Sequence, residues 1–358
     1  MKISMLNERS ACGPRCRARP DRGLFALRLA FAALFAAALN MVFISRSIAA
    51  GDKSHPSIVD LQANLEKLAH SARPGTLGVA VLDLESGRRW QVNANEAYPM
   101  MSVFKAPLGA AVLSEVEAGN LSLDRKITVT RTDLRPGASF IGKHFKGESM
   151  VFTVKQLLGY AVSKSDNTAA DKLLSLAGGG EAVTKFLQAH GIEGMRIDIG
   201  EGEVAHIFSG LGDVKDAPSV ETAAVRQKRL EQGYKAFLAD PRNRSTPGAA
   251  VAFLRKLWEG QLLSPKSTEY LLDLMHGQTV PKRLAAGLPS NIRFAHKSGT
   301  SMTIGGKTAA FNDIGVVTWP GGKSVIIAAF LTASNASRAN RDALFAELAR
   351  DIVAALRP

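Results

Sequence analysis

The chain has 358 residues, 46% of them hydrophobic and 22% charged, with a formal charge of +13. That balance excludes a disordered or fibrous chain and suffices to bury a sizeable core, as one large domain or two closely joined ones. Residues 1–50 hold eight Lys or Arg against Glu8 and Asp21, so +6 of the excess lies there and +7 in the remainder; a surface of that charge suits an anionic small molecule or an acidic polymer.

Taken in chain order, Arg15, Arg17, Arg19 and Arg22 precede an apolar run from Leu29 to Ile44 and then small residues ending at Ala49 and Ala50. This order predicts an export signal over residues 1–50, cut after Ala49 or Ala50. An uncleaved membrane anchor is the alternative, weakened by Arg28 at the head of the run and Asn40 within it. Cys12 and Cys16 both fall in this segment, so the exported chain from Gly51 has no cysteine to form a disulfide. No second ligand pair follows them at zinc spacing.

Beyond Gly51 the pattern predicts a helix from Ile58 to Ala72, then a hairpin of "TLGVAVLDL" and "RRWQVNA" turning at Glu85-Ser86-Gly87. From Met100 to about Met275 helical spacing dominates, as in Val154, Leu157, Leu158 and Ala161, and in a helix from Thr168 to Ala177 stopped by Gly178-Gly179-Gly180. Strands return as "NIRFAHK", "FNDIGVVTW" and "KSVIIAAFL", the last two joined around Pro320-Gly321-Gly322. A helix with Leu344, Leu348 and Ile352 on one face ends the chain. The simplest architecture is a two-part α/β fold. Residues 51–99 and 285–358 make one antiparallel sheet flanked by terminal helices, and residues 100–284 form an all-α insertion between its strands. A cleft between the parts is the default place for a site.

Three short motifs fall around such a cleft. Ser102 and Lys105, in "SVFK", lie one helical turn apart at the head of an apolar helix. A hydroxyl is a poor nucleophile at neutral pH, and a partly desolvated lysine beside it can act as its base. Alone, the pair reads equally as a helix cap and a surface lysine. Ser165, Asp166 and Asn167 follow in a loop between two helices, and Lys297, Ser298, Gly299 and Thr300 end a strand. The ordered set S-x-x-K, S-D-N, K-[ST]-G is the signature of class A β-lactamases and penicillin-binding proteins. Over nearly its whole length beyond residue 50, the chain resembles a class A serine β-lactamase.

The resemblance implies a role for each group. Ser102 would attack the lactam carbonyl, with the backbone N–H groups of Ser102 and Thr300 as the oxyanion hole. Ser165 would relay a proton to the departing nitrogen near Lys105 and Lys297. Asn167 would hold the side-chain amide of the substrate, and Lys297, Ser298 and Thr300 its carboxylate. Deacylation in the family uses a glutamate on an Ω-shaped loop; Glu201 stands at the expected spacing, with Glu203 as its rival. Phe140 falls where the family often carries an aromatic that leans on the substrate. Arg338 and Arg341 are further candidates for the carboxylate, and neither clearly matches the family position. The run "KSGTSMTIGGKTAAFNDIG" leans toward the branch that includes Bacteroidetes cephalosporinases.

Two departures stand out. The family's E-x-x-x-N would place an asparagine where this chain has Ala205, which cannot hydrogen-bond a water, although His206 follows directly. The chain between Glu201 and Ser245 is also longer than the family loop by roughly two dozen residues, and segments of that length tend to be functional. Pro218 and Ser219 could start an extra helix within this 206–244 insertion, carrying Leu230, Tyr234, Phe237 and Leu238 on one face and Arg226, Arg229 and Lys235 elsewhere. It would pack outside the helical part or form a lid over the cleft.

The expected function is hydrolysis of β-lactams through an acyl-enzyme on Ser102, in the periplasm and as a monomer, touching a membrane only through an uncleaved N-terminus. Two alternatives stay open: a DD-peptidase-like serine hydrolase that deacylates slowly on antibiotics, and a penicillin-binding sensor. No H-E-x-x-H, no G-x-S-x-G elbow and no dinucleotide or P-loop glycine pattern occurs, so no metal or cofactor is implied. Without a basic cluster interleaved with aromatics, nucleic acid is not expected as a partner.

Overall fold

In a computed structural model, residues 58–214, 220–279 and 283–357 are described. The leader read over residues 1–50, with both cysteines, lies outside them, as do Pro218 and Ser219.

Helix α1 (Ile58–Ser71) turns Leu61, Leu65 and Leu68 to one side and leads into the hairpin β1 (Thr76–Asp83) and β2 (Arg89–Val92). After the short strand β3 (Tyr98–Pro99), a 3₁₀ turn over Met101–Phe104 runs straight into α2 (Lys105–Glu117). The helical part follows, but it also holds a two-stranded ribbon of β4 (Lys126–Thr130) and β5 (Ser149–Thr153), with α3 (Phe140–His144) between them. The alternating Ile127 and Val129 of "KITVT" carry this strand signal, which an all-helical reading of the middle passes over.

Helix α4 (Val154–Val162) starts at a capping box of Thr153 and Gln156, and α5 (Asn167–Leu176) at an Asp166 cap. Next come α6 (Gly180–Ala189), α7 (Glu201–Ser209) and α8 (Ala223–Ala239), the last in the insertion. Strand β6 (Arg244–Ser245) pairs with β3. Helices α9 (Pro247–Trp258) and α10 (Pro265–His276) both open on a Thr or Ser cap followed by proline, whose missing N–H costs nothing in the first turn. A 3₁₀ turn, Arg283–Gly287, precedes β7 (Arg293–Thr300), β8 (Thr303–Ile304), β9 (Lys307–Thr318), β10 (Ser324–Ser334) and α11 (Arg338–Leu356).

The main sheet is antiparallel in the order β2-β1-β10-β9-β7, with β8 folded onto β9, so the first and last thirds of the chain share it as expected. Leu77, Val79, Val81, Ile327 and Ala329 face α1 and α11. Ala80, Leu82, Ile326, Ala328 and Phe330 face the helical part and belong to its core. With both faces covered, strands such as "SVIIAAFL" are apolar throughout rather than alternating.

Two contacts bring sheet and helical part together at the future site. Asn312 on β9 donates from Nδ2 to the carbonyls of Pro99 (2.8 Å) and Met100 (3.1 Å) just ahead of Ser102. Gly299 on β7 passes so close that a Cβ there would overlap the Met100 carbonyl oxygen, so no larger residue fits. Strand β7 and the Ser102 turn are thereby held edge to edge.

Candidate active site

Ser102 sits in the 3₁₀ turn, and the direct continuation of that turn into α2 stacks Lys105 over it: Lys105 Nζ donates to Ser102 Oγ at 3.0 Å. Lys105 is fully buried. Its ammonium also lies 2.8 Å from the Ser165 carbonyl, 2.6 Å from Asn167 Oδ1 and 2.8 Å from Glu201 Oε1. Four acceptors surround three N–H protons, so this cation is compensated on every side, as a buried charge must be. Ser102 Oγ in turn donates to Glu201 Oε1 at 3.1 Å.

The Ser165-Asp166-Asn167 loop is set by Asp166, which is wholly buried. Its carboxylate accepts from the N–H of Ala169 and of Ile141, both at 2.7 Å, tying the start of α5 to α3. Asn167 Nδ2 donates to the Pro136 carbonyl at 2.7 Å, which turns its Oδ1 to Lys105. From the sheet side, Lys297 Nζ donates to Ser165 Oγ at 3.0 Å and to the Ser298 carbonyl at 3.1 Å. Burial holds the Lys297 ammonium well below the ordinary lysine range, reinforced by the charges of Lys105 and Arg283 and opposed by Asp313 and Glu201.

Glu201 is the first residue of α7, where Asp171 of α5 accepts its N–H at 2.6 Å and that of Gly202 at 3.0 Å. Arg135 steadies Asp171 at 2.7 Å. The rival Glu203 is half exposed and paired with Arg242. Glu201 therefore reaches Ser102 and Glu203 does not. Ala205, one turn further along α7, lines the cleft. His206 does not take the place of an asparagine there, because its Nε2 lies 2.6 Å from the Gly212 carbonyl.

Met101, Ser165 and Arg283 are non-glycine residues at φ of +46°, +58° and +78°. Such conformations cost about 1–3 kcal/mol each and collect at functional sites. Of these three only Ser165 was a sequence candidate; Met101 and Arg283 were not, and the one that changes the site is Arg283. It is almost wholly buried, lies over the Phe311 ring with its carbon 4.1 Å from the centroid, and donates to the carbonyls of Gly299 (3.1 Å) and Asn312 and to Thr300 Oγ1. Burial lowers its pKa to about 10. It is thus the cation beside Thr300, where Arg338 and Arg341 were the sequence candidates. Arg338 is exposed near Asp342, and Arg341 is bound to the Ala336 carbonyl. No short motif surrounds Arg283, so only the folded chain reveals it.

Phe140 stacks on Tyr160 (ring centroids 5.1 Å apart) and lies tilted against His144 (4.4 Å). On that side the cleft is lined instead by Pro136, Gly137 and Ala138.

Among the described residues, the insertion packs against α7 of the helical part, as the first of the two expectations had it, rather than lying across the cleft as a lid. Helix α8 starts at Ala223, capped by Thr222. It lies between α7 and the β8–β9 hairpin, where Phe237 stacks on Phe208 at 4.1 Å and Tyr234 joins Ile304 and Ala309 in a small core. Gly233 makes this approach possible, since a Cβ would come 2.5 Å from the Phe208 carbonyl oxygen. Helix α8 is therefore a wall: Arg226, Arg229 and Leu230 line the outer end of a cleft of about 420 Å³ whose inner end holds Ser102, Asn167, Glu201 and Thr300. A larger cavity of about 620 Å³, between α6 and the Asp240–Arg244 loop, contains none of these groups. Among the described residues, no cluster of His, Cys, Asp or Glu could hold a metal ion, and no helix is long and apolar enough to cross a membrane.

A hydroxyl touched by both a buried lysine and a carboxylate, facing a second lysine and serine across a cleft, is equipped for acyl transfer. The model of the Beta-lactamase enzyme family matches residues 60–356. β-Lactamase VEB-1 of Pseudomonas aeruginosa is 32% identical over 282 residues, covering 78% of this chain and 85% of that protein. β-Lactamase L2 of Stenotrophomonas maltophilia is 32% identical over 323 residues, covering 89% and 94%. The structure of a β-lactamase from Chitinophaga pinensis superposes with a TM-score of 0.70 at 33% identity, covering 82% of this chain and 98% of that one. An ancestral class A β-lactamase of Gram-negative bacteria gives 0.67 at 37% identity, covering 83% and 100%. Motifs, fold and relatives agree: the chain belongs to the β-lactamase enzyme family, among its class A members.

Proposed function

We propose that the protein opens β-lactam rings through an acyl-enzyme on Ser102 and releases it with water activated by Glu201. The observation that carries this reading is the contact of Ser102 Oγ with both Lys105 Nζ and Glu201 Oε1. Ser102 Oγ attacks the lactam carbonyl as its proton leaves toward Glu201, and the N–H groups of Ser102 and Thr300 receive the developing oxyanion. Ser165 Oγ accepts from Lys297, so its own proton is free for the departing nitrogen. Lys105, in contact with Glu201 and the Ser165 backbone, passes the proton taken from Ser102 toward the Ser165–Lys297 pair and leaves Glu201 ionised. In the second half, Glu201 takes a proton from the attacking water, and Ser102 departs with a proton restored.

Substrate carboxylate binds at Thr300 and Ser298 beside Lys297 and Arg283, and Asn167 meets the side-chain amide. One chain supplies every group, in keeping with a monomer. The leader pattern of residues 1–50 favours action in the periplasm.

The test is a stopped-flow trace of residues 51–358 with a chromogenic cephalosporin, with intact mass of the quenched protein. Sustained turnover that falls about 10⁴-fold or more in Ser102→Ala is expected. A single burst with a lasting adduct on Ser102 would move the reading to a slow-deacylating penicillin-binding protein, which Ala205 in place of asparagine favours.

A further inference from the structure

The outer end of the cleft carries a cation that the reaction does not use. Arg229 is committed: its guanidinium donates to both carboxylate oxygens of Glu221 at 2.8 Å and to the Ser209 carbonyl. Glu221 is thereby satisfied, and its carboxyl is held below the usual range by Arg229 first and Arg226 after it. Arg226, which the sequence reading set apart from Leu230, stands one turn before it on the same helix face; it is exposed and makes no side-chain hydrogen bond or ion pair among the described residues. Arg226, Arg229 and Glu221 together leave one uncompensated positive charge. It stands at the end of an apolar trough floored by Phe208, Leu230 and Met302.

A β-lactam is asymmetric about its scissile bond, with the ring carboxylate on one side and the acylamino arm on the other. On the proposed reading, which this inference rests on, Thr300, Lys297 and Arg283 hold the carboxylate at the inner end. The arm then leaves past Asn167 and Ala205, where the small alanine side chain gives room, toward α8.

We propose that Arg226 is a specificity-determining residue that selects β-lactams whose acyl arm ends in a carboxylate. The arm's apolar portion lies along Phe208 and Leu230, and its terminal anion meets the guanidinium of Arg226. The same charge gives no advantage to a neutral arm.

Cefixime and cefdinir test this, because they share one cephem core and differ in the oxyimino group, a carboxymethyl ether in the first and a free oxime in the second. The quantity read is the ratio of kcat/KM for cefixime to that for cefdinir. An exposed charge pair is worth little, so the ratio is expected to fall about two- to fivefold in Arg226→Ala, chiefly through KM. Arg226→Glu should lower it further, while Arg226→Lys should retain most of it. Salt raised from about 0.02 to about 0.5 M should shrink the ratio in the unchanged enzyme and not in Arg226→Ala, since exposed charges are screened. Cefdinir turnover with a ratio indifferent to residue 226 and to salt overturns this inference alone. Failure of the unchanged enzyme to turn over the chromogenic cephalosporin as well as cefdinir would instead bring down the hydrolytic reading and this inference with it.

Discussion

At the inner end of the cleft, Lys105 and Lys297 are sealed from solvent and surrounded by acceptors, and strained backbone at Met101 and Ser165 holds their partners in place. At the outer end, Arg226 stands in water on a helix joined to the rest through a small aromatic core. Burial fixes the geometry of a charge and, at Lys297, lowers its proton affinity as well, which fits it for chemistry. Exposure leaves a charge weak but free to meet a ligand. One cleft thus divides the work between charges that react and a charge that chooses.

This division can be broken from the inner side first. Replacing Glu201 by Ala should leave acylation of Ser102 detectable while kcat falls about 10³-fold, as loss of a positioned base does. Intact mass should then find the acyl-enzyme accumulating, because Lys105 stays beside Ser102 to take its proton while the hydrolytic water has lost its base; an equal loss of acylation would mean that Lys105 cannot stand in for Glu201 in the first half.

The outer wall answers to stability. Gly233→Val forces α8 off α7 and should cost about 1–3 kcal/mol, the usual penalty of overpacking, read as a lower midpoint in urea. Burst acylation of Ser102 should survive, because no group of the inner cluster sits on α8. Loss of the burst together with a native-like midpoint would mean that the wall also shapes the inner end.

Between the two ends lies Ala205. Ala205→Asn adds a hydrogen-bonding group beside Glu201 and should raise kcat about two- to tenfold on substrates limited by deacylation, the worth of one hydrogen bond. An unchanged kcat would mean that Glu201 already positions the water unaided.

The smallest effect is one of pH. The pKa of Lys297 is depressed, so its ammonium is present below that lowered value and lost above it, before the ordinary lysine range near ~10.4 is reached. KM for carboxylate-bearing lactams should therefore rise a few-fold on the alkaline side. In Lys297→Arg, whose guanidinium holds its proton to a higher pH than an ammonium in the same place, the rise should move to higher pH even though overall activity is lower. A profile identical in the two proteins would assign the alkaline limb to another group.

Much of this was readable in advance. Ser102 and Lys105 are three residues apart on a helix, so their meeting is decided within one turn. The Ser165-Asp166-Asn167 loop and the strand end at Lys297 are likewise local patterns with their own caps and pairings. Glu201 was separable from Glu203 only by spacing until the fold turned one to Ser102 and the other to Arg242. Arg283 was invisible because its partners, Gly299, Thr300 and Asn312, come from β7 and β9, and no periodicity in "KRLAAG" announces them. Phe140 was read by position alone, and its ring is engaged with Tyr160 and His144.

The insertion marks the boundary most clearly. Its amphipathic face of Leu230, Tyr234, Phe237 and Leu238 predicted a helix, and a helix is there, because apolar residues at helical spacing must be buried together. Which surface would bury them depended on Phe208, Ile304 and Ala309, whose positions are set by α7 and by the β8–β9 hairpin. Local spacing, caps and the three motifs determined the elements and the chemistry of the inner cluster from the sequence alone. Only tertiary structure decided that α8 is a wall rather than a lid, and that Arg283 backs Thr300 from the protein interior while Arg226 lines the cleft from α8, because both facts depend on contacts between segments distant along the chain.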